Sequence, residues 1–199
     1  MSLAILSQCE KDEPNPIVNI PDNNFLNALI ELGVDTNGDG LINPEESANI
    51  TSHNVSNKNI SDMTGIEAFV NLDTLICANN QIARLDISNS FGLKRLVCFQ
   101  NKISSLDVSN NLALKVLVCK ANQLTSLDVS GYTALIRLYC DNNQLTTLDI
   151  SNNTALREVS LKDMPTLEEV CVWRMPFPSP RVSVDTKGSP NVSFTTDCN

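Results

Sequence analysis

Oxygen-bearing side chains at alternate positions between residues 35 and 46 form a pattern with clear chemical meaning. Asp35, Asn37 and Asp39 place carboxylate and amide oxygens two residues apart, Gly40 follows them directly, and Glu46 comes six residues later. Three carboxylates at this spacing are costly to hold together without a cation, because like charges repel. The segment therefore predicts a site for a cation with oxygen ligands.

The same stretch, DTNGDGLINPEE, resembles the calcium loop of the EF-hand at every position of D-x-N-x-D-G-x5-E. The resemblance implies that Gly40 permits the sharp turn and that Glu46 closes the coordination sphere with two oxygens. It also implies ligands from side chains, one backbone carbonyl and one water-bridged amide: Asp35, Asn37, Asp39, Leu41, Asn43 and Glu46. An acidic turn that holds no ion is the alternative.

The flanks of this loop favour a stabilising cap over a calcium sensor. Asp22 can cap a short helix before the loop, and Asn43-Pro44 suits the start of a helix after it. Gly33 interrupts the entering helix, and the sequence has no second loop to pair with the first. We therefore expect residues 18–52 to form a small helical cap with structural Ca²⁺, covering the apolar edge of the next element.

A repeat of fixed length dominates the middle of the chain. The frame L-x-x-L-x-C-x-x-N recurs without a gap, runs each time into LDIS or LDVS, and places its cysteines at a constant interval: Cys77, Cys98, Cys119 and Cys140. A period in the twenties with leucines at these offsets predicts one short strand and one return segment per turn. In such a strand Leu96 and Cys98 point inward, and Arg95, Val97 and Phe99 point outward.

The repeats resemble those of bacterial internalin-type leucine-rich repeat proteins over residues 55–172. The resemblance implies an α/β solenoid with a parallel, concave β-sheet. With the flanking segments, we expect a helical cap at its N-terminus and a cap of strand and loop at its C-terminus. Stacked turns would bury a continuous core that no single turn could bury alone. We place the solenoid at residues 53–172.

The cysteine column predicts free thiols. Side chains that point the same way on adjacent parallel strands stay about 4.8 Å apart and do not converge, which disfavours both a disulfide and a zinc site. An asparagine follows each strand, where its amide can satisfy backbone groups of the turn: Asn80, Asn101, Asn122 and Asn143. Both columns are therefore interpreted as structural.

The remaining cysteines differ from one another. In an oxidising compartment Cys171 and Cys198 are expected to form a disulfide that ties down a C-terminal cap at 173–199. Cys9 lies between LAIL and EKDEPNP, an arrangement that resembles the end of a lipoprotein signal and the acidic export tag of Bacteroidetes-type surface lipoproteins. That resemblance implies lipidation of Cys9, a leader at 1–17 and a place on the outer-membrane surface. An unpaired cysteine in a disordered leader is the alternative.

Charge and composition narrow the range of partners. The net charge of −9 leaves no basic patch for nucleic acid. The sequence contains no run of about 18 apolar residues, so it predicts no membrane-spanning helix. We expect an exported, monomeric binding protein.

Catalysis is not expected. His53 is the single histidine, in the position that leucine occupies in LDVS, and no nucleophile motif or phosphate-binding glycine loop accompanies it. One aspartate per return segment forms a column that is expected to bond local backbone N–H groups: Asp86, Asp107, Asp128 and Asp149.

The outward strand positions are the candidate binding surface. They combine apolar and charged side chains, the composition of interaction sites: Ile76, Arg95, Val97, Phe99, Val116, Val118, Lys120, Arg137, Tyr139 and Asp141. The alternative is that β-branched residues simply suit strands. The family resemblance implies adhesion or binding of a protein partner. A glycan-capturing lipoprotein of a nutrient-uptake system is the second hypothesis, with Phe99, Tyr139 and Trp173 stacking on sugar rings.

Overall fold

The computed structural model describes residues 16–198, which wind into a solenoid with two parallel sheets. The larger sheet has seven strands, ordered β1-β2-β3-β4-β5-β7-β9, and each turn adds one strand to it. Its strands are β1 Ser52–Asn54, β2 Thr74–Ile76, β3 Arg95–Val97, β4 Val116–Val118, β5 Arg137–Tyr139, β7 Glu158–Ser160 and β9 Ser183–Asp185. The smaller sheet lies on the return side and contains β6 Thr147–Asp149, β8 Glu169–Cys171 and β10 Ser193–Thr195.

The register of the larger sheet follows the sequence repeat. Leu75, Leu96, Leu117 and Leu138 occupy the same position of successive repeats and are paired from strand to strand. Each of these leucines is fully buried, and so are the four repeat cysteines two positions further along. The predicted solenoid and its inward row are confirmed.

The asparagine column holds successive turns together. The Asn122 side-chain amide donates to the carbonyl oxygens of Cys98 and Cys119, each at 3.0 Å, and its Oδ1 accepts the Ile103 N–H at 3.0 Å. Asn80, Asn101 and Asn143 make the equivalent bonds in their own turns. These groups belong to backbone that the short strands leave without a ladder partner.

A second buried polar column, not foreseen from the sequence, lies on the return side. It has the same spacing as the cysteine column: Ser90, Asn111, Tyr132 and Asn153. The Asn111 amide donates to the Ile87 and Ser90 carbonyls at 2.9 and 2.8 Å, and Asn153 does the same to Val129 and Tyr132 at 2.8 and 2.9 Å. Side-chain amides therefore link successive turns by hydrogen bonds at both edges of the solenoid.

Two short helices close the N-terminal end. In α1, Asn23–Glu31, Asp22 caps the first turn through the N–H groups of Asn24 and Phe25. The other Asp22 oxygen accepts from the backbone of Ser61 and Asp62 at 2.8 and 3.0 Å, which ties the helix to the first turn of the solenoid. A second helix, α2, spans Pro44–Ala48, and a 3₁₀ turn spans Ile66–Ala68. Phe25 and Leu29 of α1 are fully buried in the common core.

The C-terminal region differs in detail from the sequence prediction. The segment LEEVCVW, which includes Cys171, forms β8, and this strand lies in the smaller sheet with Val170 paired to Leu148. Within residues 173–199, β9 and β10 add a further strand to each sheet. More residues separate Glu158 from its partner Ser183 than separate Arg137 from its partner Glu158. The constant interval of the sequence repeat therefore does not predict where this last turn lies.

The end of the chain is covalently fixed to the solenoid. A disulfide joins Cys171 to Cys198 across 27 residues, with the Cα atoms 5.6 Å apart, which is the pairing that the sequence predicts. In place of an asparagine, Ser189 donates to the Leu161 carbonyl at 2.5 Å and accepts the Met164 N–H at 2.9 Å. The segment that the sequence predicts as a cap is thus a modified final turn.

Candidate functional site

The concave face, defined as the outward side of the seven-stranded sheet, presents its side chains in three columns. The middle column runs through Ile76, Val97, Val118 and Tyr139, which are paired directly across β2, β3, β4 and β5. Ile76, Val118 and Tyr139 are half-buried, whereas Val97 is only 6% exposed and offers little surface to a partner. These side chains therefore share one face of the sheet, and Val97 lies at the base of the column.

The N-terminal half of the concave face is apolar and positively charged. Beyond β1, whose outward residues Ser52 and Asn54 are uncharged, it consists of the outward positions of β2, β3 and β4 and the second residue after each: Thr74, Ile76, Ala78, Arg95, Val97, Phe99, Val116, Val118 and Lys120. Lys120 lies over the Phe99 ring, with Nζ 5.1 Å from the centroid. Neither Arg95 nor Lys120 forms an ion pair with any residue between 16 and 198.

The C-terminal half has the same number of basic and acidic groups, and several of them are paired. It contains the corresponding positions of β5, β7 and β9: Arg137, Tyr139, Asp141, Glu158, Ser160, Lys162, Ser183, Asp185 and Lys187. The Tyr139 hydroxyl donates to Glu158, and Arg137 Nε lies 3.1 Å from the same carboxylate. The bond from Tyr139 lowers the pKa of Glu158 and raises that of Tyr139.

Two further contacts complete this network. Asp141 accepts from the Ser160 hydroxyl and from the Lys162 N–H, the latter at 2.9 Å. Lys162 Nζ lies 2.8 Å from Asp185, and this contact raises the pKa of Lys162 and lowers that of Asp185. Asp185 is not among the predicted site residues, because the wider spacing before β9 hides its column.

The predicted calcium loop is wound by its own hydrogen bonds. Asp35 accepts the N–H groups of Gly38 and Gly40 at 2.7 and 2.9 Å. Glu46 reaches back to the start of the loop, where Oε1 accepts the Thr36 N–H and hydroxyl at 2.8 and 2.9 Å. Burial favours a higher pKa for Glu46, but the bonds from Asn43, Thr36 and Asn37 outweigh it and lower that pKa.

Glu46 also starts the second helix. Its Oε2 accepts the Asn43 N–H at 3.0 Å while Asn43 Oδ1 accepts the Glu46 N–H at 3.0 Å, a reciprocal capping box. The residue therefore has a structural role that does not depend on any ion.

The donor set of the loop fits Ca²⁺ in chemistry, since it offers carboxylate, amide and carbonyl oxygens. Asp35, Asp39 and Glu46 do not, however, gather within 4.8 Å of one another. Across residues 16–198, the group of His, Cys, Asp and Glu side chains that does so is Asp149, Cys171 and Cys198. Because the two cysteines of that group share a disulfide, they are not available as thiolate ligands.

The aspartates of the return segments bond their own turns, as predicted. Asp86, Asp107 and Asp128 accept the backbone N–H of the serine two residues later, at 3.0, 2.9 and 2.9 Å. Their bonds to these serines lower the pKa of each carboxyl. An open depression of about 560 Å³ is lined by Asp86, Asp107 and neighbouring serines, and its carboxylates are engaged in these turns.

His53 does not occupy the position that leucine fills in LDVS, which corrects the sequence alignment. It is paired with Leu75 and therefore stands at the head of the inward leucine row of the larger sheet. The residue is 3% exposed, and its ring lies edge-on to Phe69 with the centroids 4.9 Å apart. Its Nε2 has no hydrogen-bond partner among the described residues. Burial lowers its pKa to about 4. A group in this position is part of the core.

The repeat cysteines are buried and electrically neutral. Burial raises the pKa of Cys77 to about 12 and that of Cys98, Cys119 and Cys140 well above the ordinary value. Because the thiolate is the reactive form, these groups are poor nucleophiles and poor metal ligands.

Comparison with known proteins agrees with this fold. Over 70 residues the chain is 40% identical to Internalin J of Listeria monocytogenes serotype 4b (strain F2365), a match that covers 35% of this chain and 8% of that protein. The solved functional domain of Internalin J, which includes a cysteine ladder, aligns at 31% identity and a TM-score of 0.62. That alignment covers 80% of this chain and 41% of the solved one. No family model matches the chain.

Two more distant solved structures show the fold alone. An internalin from Listeria monocytogenes strain 4b F2365 aligns at 20% identity and a TM-score of 0.57, over 88% of this chain and 64% of that one. A leucine-rich repeat protein from Leptospira interrogans aligns at 21% identity and a TM-score of 0.57, over 78% and 41%.

The chain is thus an internalin-like leucine-rich repeat solenoid, with a column of buried cysteines. It spans less than half the length of the Internalin J chains that it matches. Across the described residues, no helix has the length and apolar character needed to cross a membrane.

Proposed function

We propose that the protein is a non-enzymatic recognition module that binds a protein partner through the concave face. The observation that carries the proposal is the apolar middle column of the concave face. Ile76, Val118 and Tyr139 are only half-buried, and no layer of the described chain covers this side of the sheet. Their apolar surface is therefore open to a partner. Apolar surface rimmed by charge is typical of interaction sites. The similarity to the solved domain of Internalin J supports the same interpretation by analogy of fold.

A binding screen against extracellular proteins and polysaccharides, run with matched variants, tests the proposal. Val118→Lys places a charge in the centre of the apolar column, whereas Thr125→Lys adds the same charge to an exposed position on the return side. We expect a protein ligand whose binding falls at least tenfold with Val118→Lys and is unchanged with Thr125→Lys. Equal binding by both variants would contradict a concave-face site.

Capture of a glycan is the second candidate function. Its aromatic platforms would be Phe99 and Tyr139, which lie in different columns and two strands apart, about 10 Å. Trp173, the third predicted platform, instead packs edge-on against Phe177 at 5.2 Å in the final turn. Sugar binding predicts sensitivity to Tyr139→Ala and little effect from Val118→Lys, the reverse of the protein-binding pattern.

We further propose that the loop at 35–46 binds a structural Ca²⁺ ion that stiffens the N-terminal cap. Asp35, Asn37, Asp39, Leu41, Asn43 and Glu46 would hold the ion. Bound Ca²⁺ would supply the positive charge that lets these oxygens approach one another. Because the loop joins α1 to α2, an ion there would stabilise the cap that covers the first turn.

A lipid at Cys9 would tether the solenoid to a membrane surface and account for an extracellular, cell-surface location. Cys9 lies outside the described residues, so this part of the proposal rests on the sequence around it. The full-length protein should then partition with membranes when it is made in a bacterium with lipoprotein processing, and Cys9→Ala should release it. A soluble full-length protein under those conditions would contradict the anchor.

A further inference from the structure

The two halves of the concave face differ in how far their charges are neutralised by the protein itself. In the C-terminal half, Arg137 is paired with Glu158, and Lys162 is paired with Asp185. In the N-terminal half, Arg95 and Lys120 are exposed, none of the outward positions is acidic, and neither cation forms an ion pair with a residue between 16 and 198. This imbalance stands out because the whole chain carries a net charge of −9.

The acidic residue that follows Lys120 in its column forms no ion pair with it. Asp141 is bonded instead to the Ser160 hydroxyl and to the Lys162 N–H, both on the C-terminal side. Because Lys120 is exposed and has no ion pair of this kind, a partner can bind its ammonium group without displacing one.

We infer that the N-terminal half is the recognition site and that it takes an extended segment of a partner protein in which acidic residues flank apolar ones. The inference rests on the proposed function and adds the chemistry of the partner and its place on the face. Two cations beside an apolar strip attract a complementary anionic segment and fix its register. The C-terminal half, neutral and internally bonded, has no comparable attraction for a charged partner.

The geometry sets the spacing of the expected motif. Arg95 lies in the first column and Lys120 in the third, on opposite sides of the middle column that contains Val118. Positions in the first and third columns are four residues apart along a strand, or about 13 Å at ~3.3 Å per residue. An extended segment that lies along the strands would therefore place its acidic residues roughly four or five positions apart, with apolar side chains between them.

The size of the strip also favours a segment over a broad protein surface. Ile76, Val97 and Val118 span two strand spacings, about 10 Å, whereas stable interfaces between folded proteins bury roughly 800 Å² on each partner. The cation over Phe99 adds a place where an apolar side chain can pack beside a charge.

Selection of peptides tests the inference directly. Random linear peptides, displayed on phage, would be selected on the full chain and then measured against Arg95→Glu, Lys120→Glu and the control Lys187→Glu. The control makes the same charge change in the same column as Lys120 but in the C-terminal half. Melting curves of each variant would verify the fold.

We expect the selected peptides to be enriched in acidic residues that flank apolar ones, and their affinity to fall at least tenfold with Arg95→Glu or Lys120→Glu. Lys187→Glu should change it less than twofold. Recovery of no peptides, of peptides without acidic enrichment, or of peptides equally sensitive to all three variants would overturn the inference.

The proposed function fails in a different way. A protein ligand that is lost with Val118→Lys but binds Arg95→Glu and Lys120→Glu normally would retain the concave-face function and overturn the acidic motif alone. A ligand that binds Val118→Lys normally would overturn the concave-face function itself.

Discussion

The side-chain amide of Asn122 bonds to the carbonyl of Cys98, 24 positions earlier in the chain, at 3.0 Å. The same amide bonds to Cys119 in its own turn, so one buried group closes two successive turns of the solenoid. The repeat cysteine and the repeat asparagine therefore form one structural unit: the cysteine fills the core and its carbonyl is the acceptor that the asparagine needs.

Replacement of Asn122 by leucine should destabilise the solenoid by about 3 kcal/mol, because buried carbonyl and N–H groups would lose their partner. The neighbouring Gln123→Ala, at an exposed position, should change the free energy of unfolding by less than about 0.5 kcal/mol. Urea unfolding of the two variants measures the difference. A loss below about 1 kcal/mol for Asn122→Leu would mean that water replaces the amide.

His53 should make the protein less stable as pH falls. Its folded pKa is about 4 and its ordinary value is 6.5, so between these values the unfolded chain binds a proton that the folded chain excludes. Stability should therefore fall as pH decreases through this window, by about 2 kcal/mol at pH 5 relative to pH 7.5. His53→Leu, which extends the inward leucine row, should remove that part of the pH dependence. Unfolding curves at both pH values test this, and an unchanged slope in the variant would exclude His53 as the cause.

Calcium should raise the melting temperature, and Glu46→Gln should abolish most of that increase. Glu46 also caps α2, so the variant is expected to melt lower even without calcium. The informative quantity is therefore the increment on adding calcium, compared with that of Glu45→Gln, a change at the exposed adjacent acid. Identical melting of the unmodified protein with calcium and with a chelator would contradict the ion site.

Thiol labelling should distinguish the two kinds of cysteine. In the folded, non-reduced Cys9→Ser variant we expect no rapid labelling, and four thiols should react after denaturation, one per repeat. Reduction should then expose Cys171 and Cys198. Loss of their disulfide should lower stability by about 3 to 4 kcal/mol, the loop-closure value for a bridge across 27 residues. Labelling of more than four thiols before reduction would contradict the pairing.

Much of the fold could be predicted from the sequence because the repeat encodes the same contacts in each turn. Leu96, Cys98 and Asn101 recur in chemically identical form, so each of their columns is visible as a constant interval in the sequence. The second polar column escapes such a prediction because Ser90, Asn111 and Tyr132 differ in chemistry. Its spacing is constant, but only Asn111 and Asn153 are alike, so no single recurring residue marks the column in the sequence.

The ends of the solenoid are harder to place than its middle. The longer step before β9 breaks the frame, and for that reason the sequence predicts a cap at 173–199 and not the two further strands β9 and β10. His53 is misplaced in the return segment because a polar residue in the leucine row contradicts the pattern. The ion pair between Lys162 and Asp185 depends on the position of β9, which the repeat does not predict. For that reason the difference in charge pairing between the two halves of the concave face could not be predicted from the repeat alone.

Because β2 to β5 keep a constant register, the number of turns in the solenoid can change without a change in how its two ends are closed. Each of these turns packs only on its neighbours. Insertion of a copy of residues 93–113 would therefore lengthen the concave face by one strand, about 4.8 Å, while the helical cap and the disulfide-bonded turn keep their own contacts. Duplication of a gene segment that encodes a single turn is enough to change the reach of the molecule, and no residue outside that segment has to change with it.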